Sequence, residues 1–195
     1  MGKGRLEAFS DGVLAIVITI MVLELRAPEG ESLGDLLAVA PVFLSYVLSF
    51  TFVGIYWTNH HHLLHTVTRV TPGILWANLH LLFWLSLLPF TTAWMDENHF
   101  AAAPVFLYCL NLLLAAVAYT VLQLHIIATH GHGSALERAV GRDVKGRLSL
   151  GLYVAAMALA FVEPLVAVGI TVVVAPIWLV PDRRIARVVE GEGRA

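Results

Sequence analysis

The sequence predicts an all-α, polytopic membrane protein with six transmembrane helices and both termini in the cytoplasm. The chain of 195 residues is 58% hydrophobic and only 13% charged, whereas soluble domains carry about 25% charged residues. Its apolar residues form runs long enough for helices that cross a bilayer, which need about 20 residues each. Lysine and arginine lie between alternate runs. Lipid is therefore the solvent that this composition predicts.

Six apolar segments follow one another along the chain. They fall near residues 6–25, 36–58, 73–95, 102–129, 147–162 and 164–181. Glu163-Pro164 divides the last two, because proline removes an amide donor and disfavours helix in the residue before it. We predict one transmembrane domain over 1–181 and a short polar tail over 182–195.

The basic residues predict the orientation of the helices. With the N-terminus in the cytoplasm, eleven of the twelve lysines and arginines lie on the cytoplasmic side and only Arg26 lies outside. Basic loops beside spans stay in the cytoplasm, so an even number of spans fits this distribution. The outer ends are acidic, with Glu24, Glu29, Glu31, Asp35, Asp96, Glu97 and Glu163. Such a surface concentrates cations.

Residues that would carry enzyme chemistry are missing from the spans. Cys109 is the single cysteine, which excludes a disulfide and a Cys-based metal site within one subunit. Serines in the spans lack a Gly-x-Ser-x-Gly context, and Asp11 has no second intramembrane aspartate. We expect no enzyme activity, no cofactor and no nucleic-acid partner.

The first helix begins with polar residues, Ser10 and Asp11, in an otherwise apolar segment. Burying a charge there is costly unless the group is paired. One interpretation is that the pair locks the helix to its neighbours through hydrogen bonds, and the other is that it binds a permeating ion. Gly12 follows, and glycine loosens a helix by about 1 kcal/mol.

An apolar stripe runs along the same helix, away from the polar pair. At about 100° per residue its members share one face. They are Ile16, Thr19, Ile20 and Leu23. By itself the stripe is typical of packing against other membrane helices.

The motif Arg5-x-x-x-Phe9-Ser10-Asp11 at the head of the first span resembles the signature of the transmembrane-protein-175 family of potassium channels, in its single-repeat prokaryotic form. The resemblance extends over nearly the whole chain. Further matching segments are Tyr56-Trp57, His61-His62-Leu63-Leu64, Trp76-x-Asn78-Leu79-His80 and Ser86-Leu87-Leu88-Pro89-Phe90-Thr91.

The resemblance implies a homotetramer in the plasma membrane whose central pore is lined by the first helix. The stripe from Ile16 to Leu23 would form rings of aliphatic side chains that serve as constriction, gate and modest filter for K⁺ over Na⁺. No Thr-Val-Gly-Tyr-Gly filter loop occurs in the chain. The expected partners are other copies of the chain, the lipid bilayer and monovalent cations, with K⁺ as the permeant ion.

The resemblance also implies a hydrogen-bond network that holds the pore helix, either between helices or between subunits. Its residues would be Ser10, Asp11, Trp76 and His80, with Arg5, Phe9 and Asn78 in the accompanying motifs. Trp76 and His80 lie four residues apart and share a helix face.

Histidines leave a second function open. His61 and His65 have the four-residue spacing of a metal pair on a helix. The sequence shows no convincing carboxylate or thiolate nearby, so it favours an interfacial polar cluster that hydrogen-bonds its neighbours. With His80 and Asp11 inside spans, the alternative to a channel is an ion-coupled secondary transporter, or a carrier of protons or metal cations.

Overall fold

The computed structural model describes residues 2–131, 136–137, 141 and 143–179, and every regular element within them is a helix. Eight helices have both ends within these residues. They are α1 (Lys3–Leu23), α2 (Leu33–Ala38), α3 (Ala40–His65), α4 (Pro72–Ser86), α5 (Leu88–Glu97), α6 (Ala102–His130), α7 (Val144–Leu159) and α8 (Pro164–Leu179). The tail over 182–195 lies outside the described residues, as do six of the arginines used to predict orientation. These are Arg138, Arg142, Arg183, Arg184, Arg187 and Arg194.

Four helical segments of the described chain are long and apolar enough to cross a membrane: Lys3–Leu23, Ala40–His65, Pro72–Glu97 and Ala102–His130. Helix α8 is apolar but shorter, and α7 has 16 residues. At about 1.5 Å per residue, 16 residues span less than the bilayer core of about 30 Å. The all-helical, multi-pass architecture is confirmed, while six complete spans stay a prediction.

The segment predicted as the second span, 36–58, divides into two helices and extends further. Ser32 and Asp35 cap α2 reciprocally, and the Ser32 hydroxyl lowers the pKa of the Asp35 carboxyl. Pro41 lies near the start of α3 and lacks the amide that would continue α2 into it. At the other end, the histidine-rich stretch 59–65 contains no proline or glycine. Helix α3 therefore continues to His65.

The segment predicted as the third span, 73–95, is interrupted in its second half. Helix α4 ends at Ser86 and α5 begins at Leu88. Pro89 explains the break, because its ring excludes the carbonyl four residues earlier and it has no amide to donate. Side chains of α5 can therefore take a direction that a straight helix would not give them.

Helix α6 forms the centre of the bundle and α1 lies at its edge. α6 packs against α4, α5, α7 and α8, and half of its most apolar stretch is buried, compared with 28% for α1. Its core residues include Tyr108, Cys109, Leu112, Ala115 and Leu122. The single chain thus leaves much of its first span uncovered.

Buried polar groups join the N-terminal part of α3 to α5 and α6. The Ser45 hydroxyl donates to the Asp96 carboxylate, and the Ser49 and Thr92 hydroxyl oxygens lie 2.8 Å apart. Ser49 also contacts the Tyr108 hydroxyl at 3.1 Å. Hydrogen bonds at fixed heights along two helices specify their register.

Candidate pore-lining helix

Helix α1 has one buried face and one uncovered face. The buried face packs on α3, α4 and α5. Its residues are Leu6, Ser10, Leu14, Val17 and Met21. They recur every three or four positions, which is the spacing of a single helix face.

The stripe singled out in the sequence lies on the uncovered face of α1. Ile16 is 58% exposed, Ile20 42% and Leu23 79%. Thr19 is also exposed, and its hydroxyl donates to the carbonyl of Ile16 at 2.9 Å. Since that bond occupies the hydroxyl proton within the helix, the surface presented by the stripe is mainly aliphatic.

Ser10 belongs to a buried hydrogen-bond network that joins three helices. Its hydroxyl donates to the Leu6 carbonyl at 2.8 Å and accepts from the Asn78 amide on α4 at 3.0 Å. The Asn78 amide oxygen in turn lies 2.7 Å from Nε2 of His60 on α3. Ser10 and Asn78 are fully buried and His60 is 2% exposed. The network fixes the N-terminal half of α1 against its neighbours.

Asp11 points in another direction and has a different partner. Its carboxylate accepts a hydrogen bond of 2.9 Å from the indole nitrogen of Trp57 on α3, and both residues are exposed. Trp57 therefore satisfies one of the oxygens of Asp11 at the edge of the single chain.

Trp76 and His80 do not meet Ser10 or Asp11 within the single chain. His80 accepts instead from the indole nitrogen of Trp84, one turn further along α4, at 2.9 Å. Trp76 is 74% exposed. Asn78 and His80 lie two residues apart, about 200° around the helix, so the contact of Asn78 with Ser10 turns His80 away. The prediction that Trp76 and His80 bond to Ser10 or Asp11 within one chain is thus wrong. A contact between these residues across a subunit interface stays a prediction.

The other motif residues lie on or near the free surface. Arg5 is exposed and forms no ion pair with the described part of the chain. Phe9 is 49% exposed. His61 and His65 are exposed on α3, with ring centres 4.9 Å apart.

Two contacts of the site were not predicted from the sequence. Trp57 was named only within a matching segment and His60 was given no partner, yet these residues supply the α3 contacts to Asp11 and Asn78. A signal was available, because a histidine inside a long apolar helix needs a polar partner and Asn78 is the neutral amide inside the next span.

Comparisons with known proteins agree with this architecture. Residues 5–89 match the family described as the endosomal/lysosomal potassium channel TMEM175. A protein of Chryseobacterium sp. (strain P1-3) named a potassium channel is 54% identical over 96% of this chain and 97% of its own length. A second potassium channel by name, from Streptomyces collinus, is 35% identical over 83% of this chain and 84% of its own.

A solved structure agrees as well. The crystal structure of a lysosomal potassium-selective channel TMEM175 homolog from Chamaesiphon minutus matches with a TM-score of 0.79 and 30% identity, covering 92% of this chain and 97% of that one. The fold and the site together define an α-helical, multi-pass membrane protein of an ion-channel family. The chain belongs to the TMEM175 family, which confirms the prediction made from its first helix.

Proposed function

We propose that four copies of this chain form a potassium-permeable cation channel in the plasma membrane, with α1 of each copy lining a central pore. The observation that carries the proposal is the uncovered aliphatic stripe of α1, exposed in the single chain and opposite the face that packs on the subunit. The names of the two bacterial relatives and of the solved homolog support potassium as the permeant ion.

Rings of Ile16, Ile20 and Leu23, with Thr19 between them, form the constriction. A pore narrowed by such side chains gates by excluding water. Where an ion does pass, it must lose part of its hydration shell, and K⁺ holds its water less tightly than Na⁺. Gate and filter are then the same structure, and preference for K⁺ is modest.

The polar contacts at the cytoplasmic end hold the pore helix in place. Ser10 is fixed within the subunit by Asn78, while Trp76 and His80 lie exposed on α4, where a neighbouring copy reaches them. In the assembled channel, six spans place both termini in the cytoplasm, and the transmembrane domain covers 1–181.

Replacing one residue of the stripe tests the proposal. We expect Ile16→Asn to raise leak and lower the preference for K⁺ over Na⁺ in bilayer recordings, because a polar ring holds water in the constriction. Val22→Asn is the matched control, since Val22 is 46% exposed on the same helix but lies off the stripe. An unchanged reversal potential for Ile16→Asn, or an equal change for the control, removes the stripe from this role.

A flux assay in proteoliposomes separates the channel from the carrier. Uncoupled K⁺ flux that follows the imposed voltage is the expected result for a pore. Saturating exchange coupled to protons would contradict it.

A further inference from the structure

Two histidines at the cytoplasmic end of α3 have the geometry of a metal-chelating pair. The ring centres of His61 and His65 are 4.9 Å apart, and both side chains are exposed. Two imidazoles bound to one tetrahedral Zn²⁺ through bonds of about 2.0 Å place their ring centres about 5 Å apart. The distance between the two ring centres therefore matches the distance expected for two imidazoles that share one Zn²⁺ ion.

The register between α1 and α3 supplies a third donor. Lys3 lies opposite His65, to whose carbonyl its amino group donates at 2.8 Å, and Asp11 lies opposite Trp57. The two helices run antiparallel, and moving eight residues along α1, from Lys3 to Asp11, corresponds to moving eight residues back along α3, from His65 to Trp57. In this register Glu7, midway between Lys3 and Asp11, falls opposite His61.

Glu7 is available as a ligand. Its present partner is Lys3, 3.9 Å away and in the same helix, and partly exposed pairs of this kind are weak. Among the described residues, no three His, Cys, Asp or Glu side chains converge on one point. For the ion to gain a third ligand, the Glu7 side chain must turn from Lys3 toward His61. A bound divalent cation favours that turn because it attracts the carboxylate and repels the ammonium group.

We propose that His61, His65 and Glu7 form a binding site for a divalent transition-metal ion such as Zn²⁺, which joins the start of α1 to the end of α3. Imidazole and carboxylate suit Zn²⁺ and Ni²⁺ better than Mg²⁺ or Ca²⁺, which prefer all-oxygen sites. Two imidazoles, one carboxylate and a water molecule complete a tetrahedral shell. The site stands independently of ion conduction, because binding is measured without any flux.

Titration calorimetry with Zn²⁺ on the purified full chain, carrying an affinity tag without histidine, tests the site. We expect one Zn²⁺ per chain in a background of Mg²⁺. His61→Gln and His65→Gln should each weaken binding more than about tenfold, and Glu7→Gln by about tenfold.

The matched control is the double variant His125→Gln/His130→Gln, which also removes two imidazoles near the cytoplasmic side and should bind Zn²⁺ like the wild type. Helix content and oligomer size of every variant are compared first, so that misfolding is not read as lost affinity. Binding that survives His61→Gln/His65→Gln overturns the site. Binding unaffected by Glu7→Gln overturns the link between α1 and α3.

Discussion

At the scale of single residues, Asn78 has the most demanding environment in the site. It lies fully buried between the Ser10 hydroxyl and the His60 ring. Removing its amide takes away the hydrogen bond of the His60 ring and leaves the Ser10 hydroxyl with only its bond to the Leu6 carbonyl. A buried polar group left without a partner costs about 1–3 kcal/mol. The stability of the subunit and the position of α1 therefore depend on one side chain.

We expect Asn78→Leu to lower the apparent melting temperature of the purified protein by about 2–4 °C for each kcal/mol lost. Asn98→Leu is the control, because Asn98 is exposed and bonds only to its own helix, at the Trp94 carbonyl. Thermal unfolding followed by size-exclusion chromatography measures both. Equal losses in the two variants would contradict the special role of Asn78.

Asp11 contacts its neighbours at the surface of the chain, so its effect should appear in assembly. We expect Asp11→Ala to reduce the tetramer fraction seen by native mass spectrometry. Trp57→Phe removes the indole donor at 2.9 Å while keeping an aromatic ring, and it should produce part of the same loss. Intact tetramers with altered conductance would instead favour ion binding by Asp11.

The sequence predicted the two faces of α1 better than it predicted the partners of its polar residues. The helical angles of Ser10 and Ile16 follow from the chain alone, and so does their separation into an inner and an outer face. The choice of Asn78 rather than His80 depends on the rotation of α4, which tertiary packing decides. Trp84 also competes for His80 from one turn away, and no local pattern ranks that contact above the others.

At the scale of elements, α1 contains a point of low helix propensity just below the stripe. A Cβ added at Gly12 meets no atom within 4 Å, so glycine is not required there for space. Its presence keeps α1 more deformable than alanine would.

We expect Gly12→Ala to stabilise the protein by about 0.4–1 kcal/mol and to lower open probability, because a stiffer α1 bends less. Gly54→Ala on α3 is the control, since it too has open space around an added Cβ. It should stabilise the protein without changing gating. Thermal unfolding and single-channel recordings measure the two effects, and identical gating in both variants would dissociate Gly12 from pore opening.

Elements without internal breakers were easier to predict than those with one. Helix α6, Ala102–His130, ends one residue later than the predicted fourth segment, 102–129. Pro89 interrupts the third segment, and hydropathy alone does not register proline, because its ring is apolar. The α3 extension through the histidines was also missed, since polar side chains near a membrane surface do not end a helix.

At the scale of the whole molecule, topology is the property that most needs an experiment. Helices α7 and α8 are short, and the basic residues share one side whether both of these helices cross the membrane or neither does. Cys109 is fully buried, so single cysteines can be introduced without removing it.

We expect Glu163→Cys, in the turn between α7 and α8, to react with an impermeant maleimide added to intact cells. Lys145→Cys, at the start of α7, should react only after the membrane is permeabilised. Mass spectrometry of the labelled chain measures both. Labelling of the two positions from the same side would contradict six spans.

The contacts of α1 are distributed unevenly along its length. In the described part of the chain, its polar contacts to other helices, made by Lys3, Ser10 and Asp11, all lie in its first half. Leu14, Val17 and Met21 pack through apolar surface alone, which permits sliding. If the part of α1 beyond Gly12 tilts as a unit, it carries Leu23, about 16 Å from Gly12, nearly three times as far as Ile16, about 6 Å from Gly12. In the proposed channel the ring of Leu23 then widens first and the ring of Ile16 last, an order that spin-label distances between subunits at the two heights would reveal.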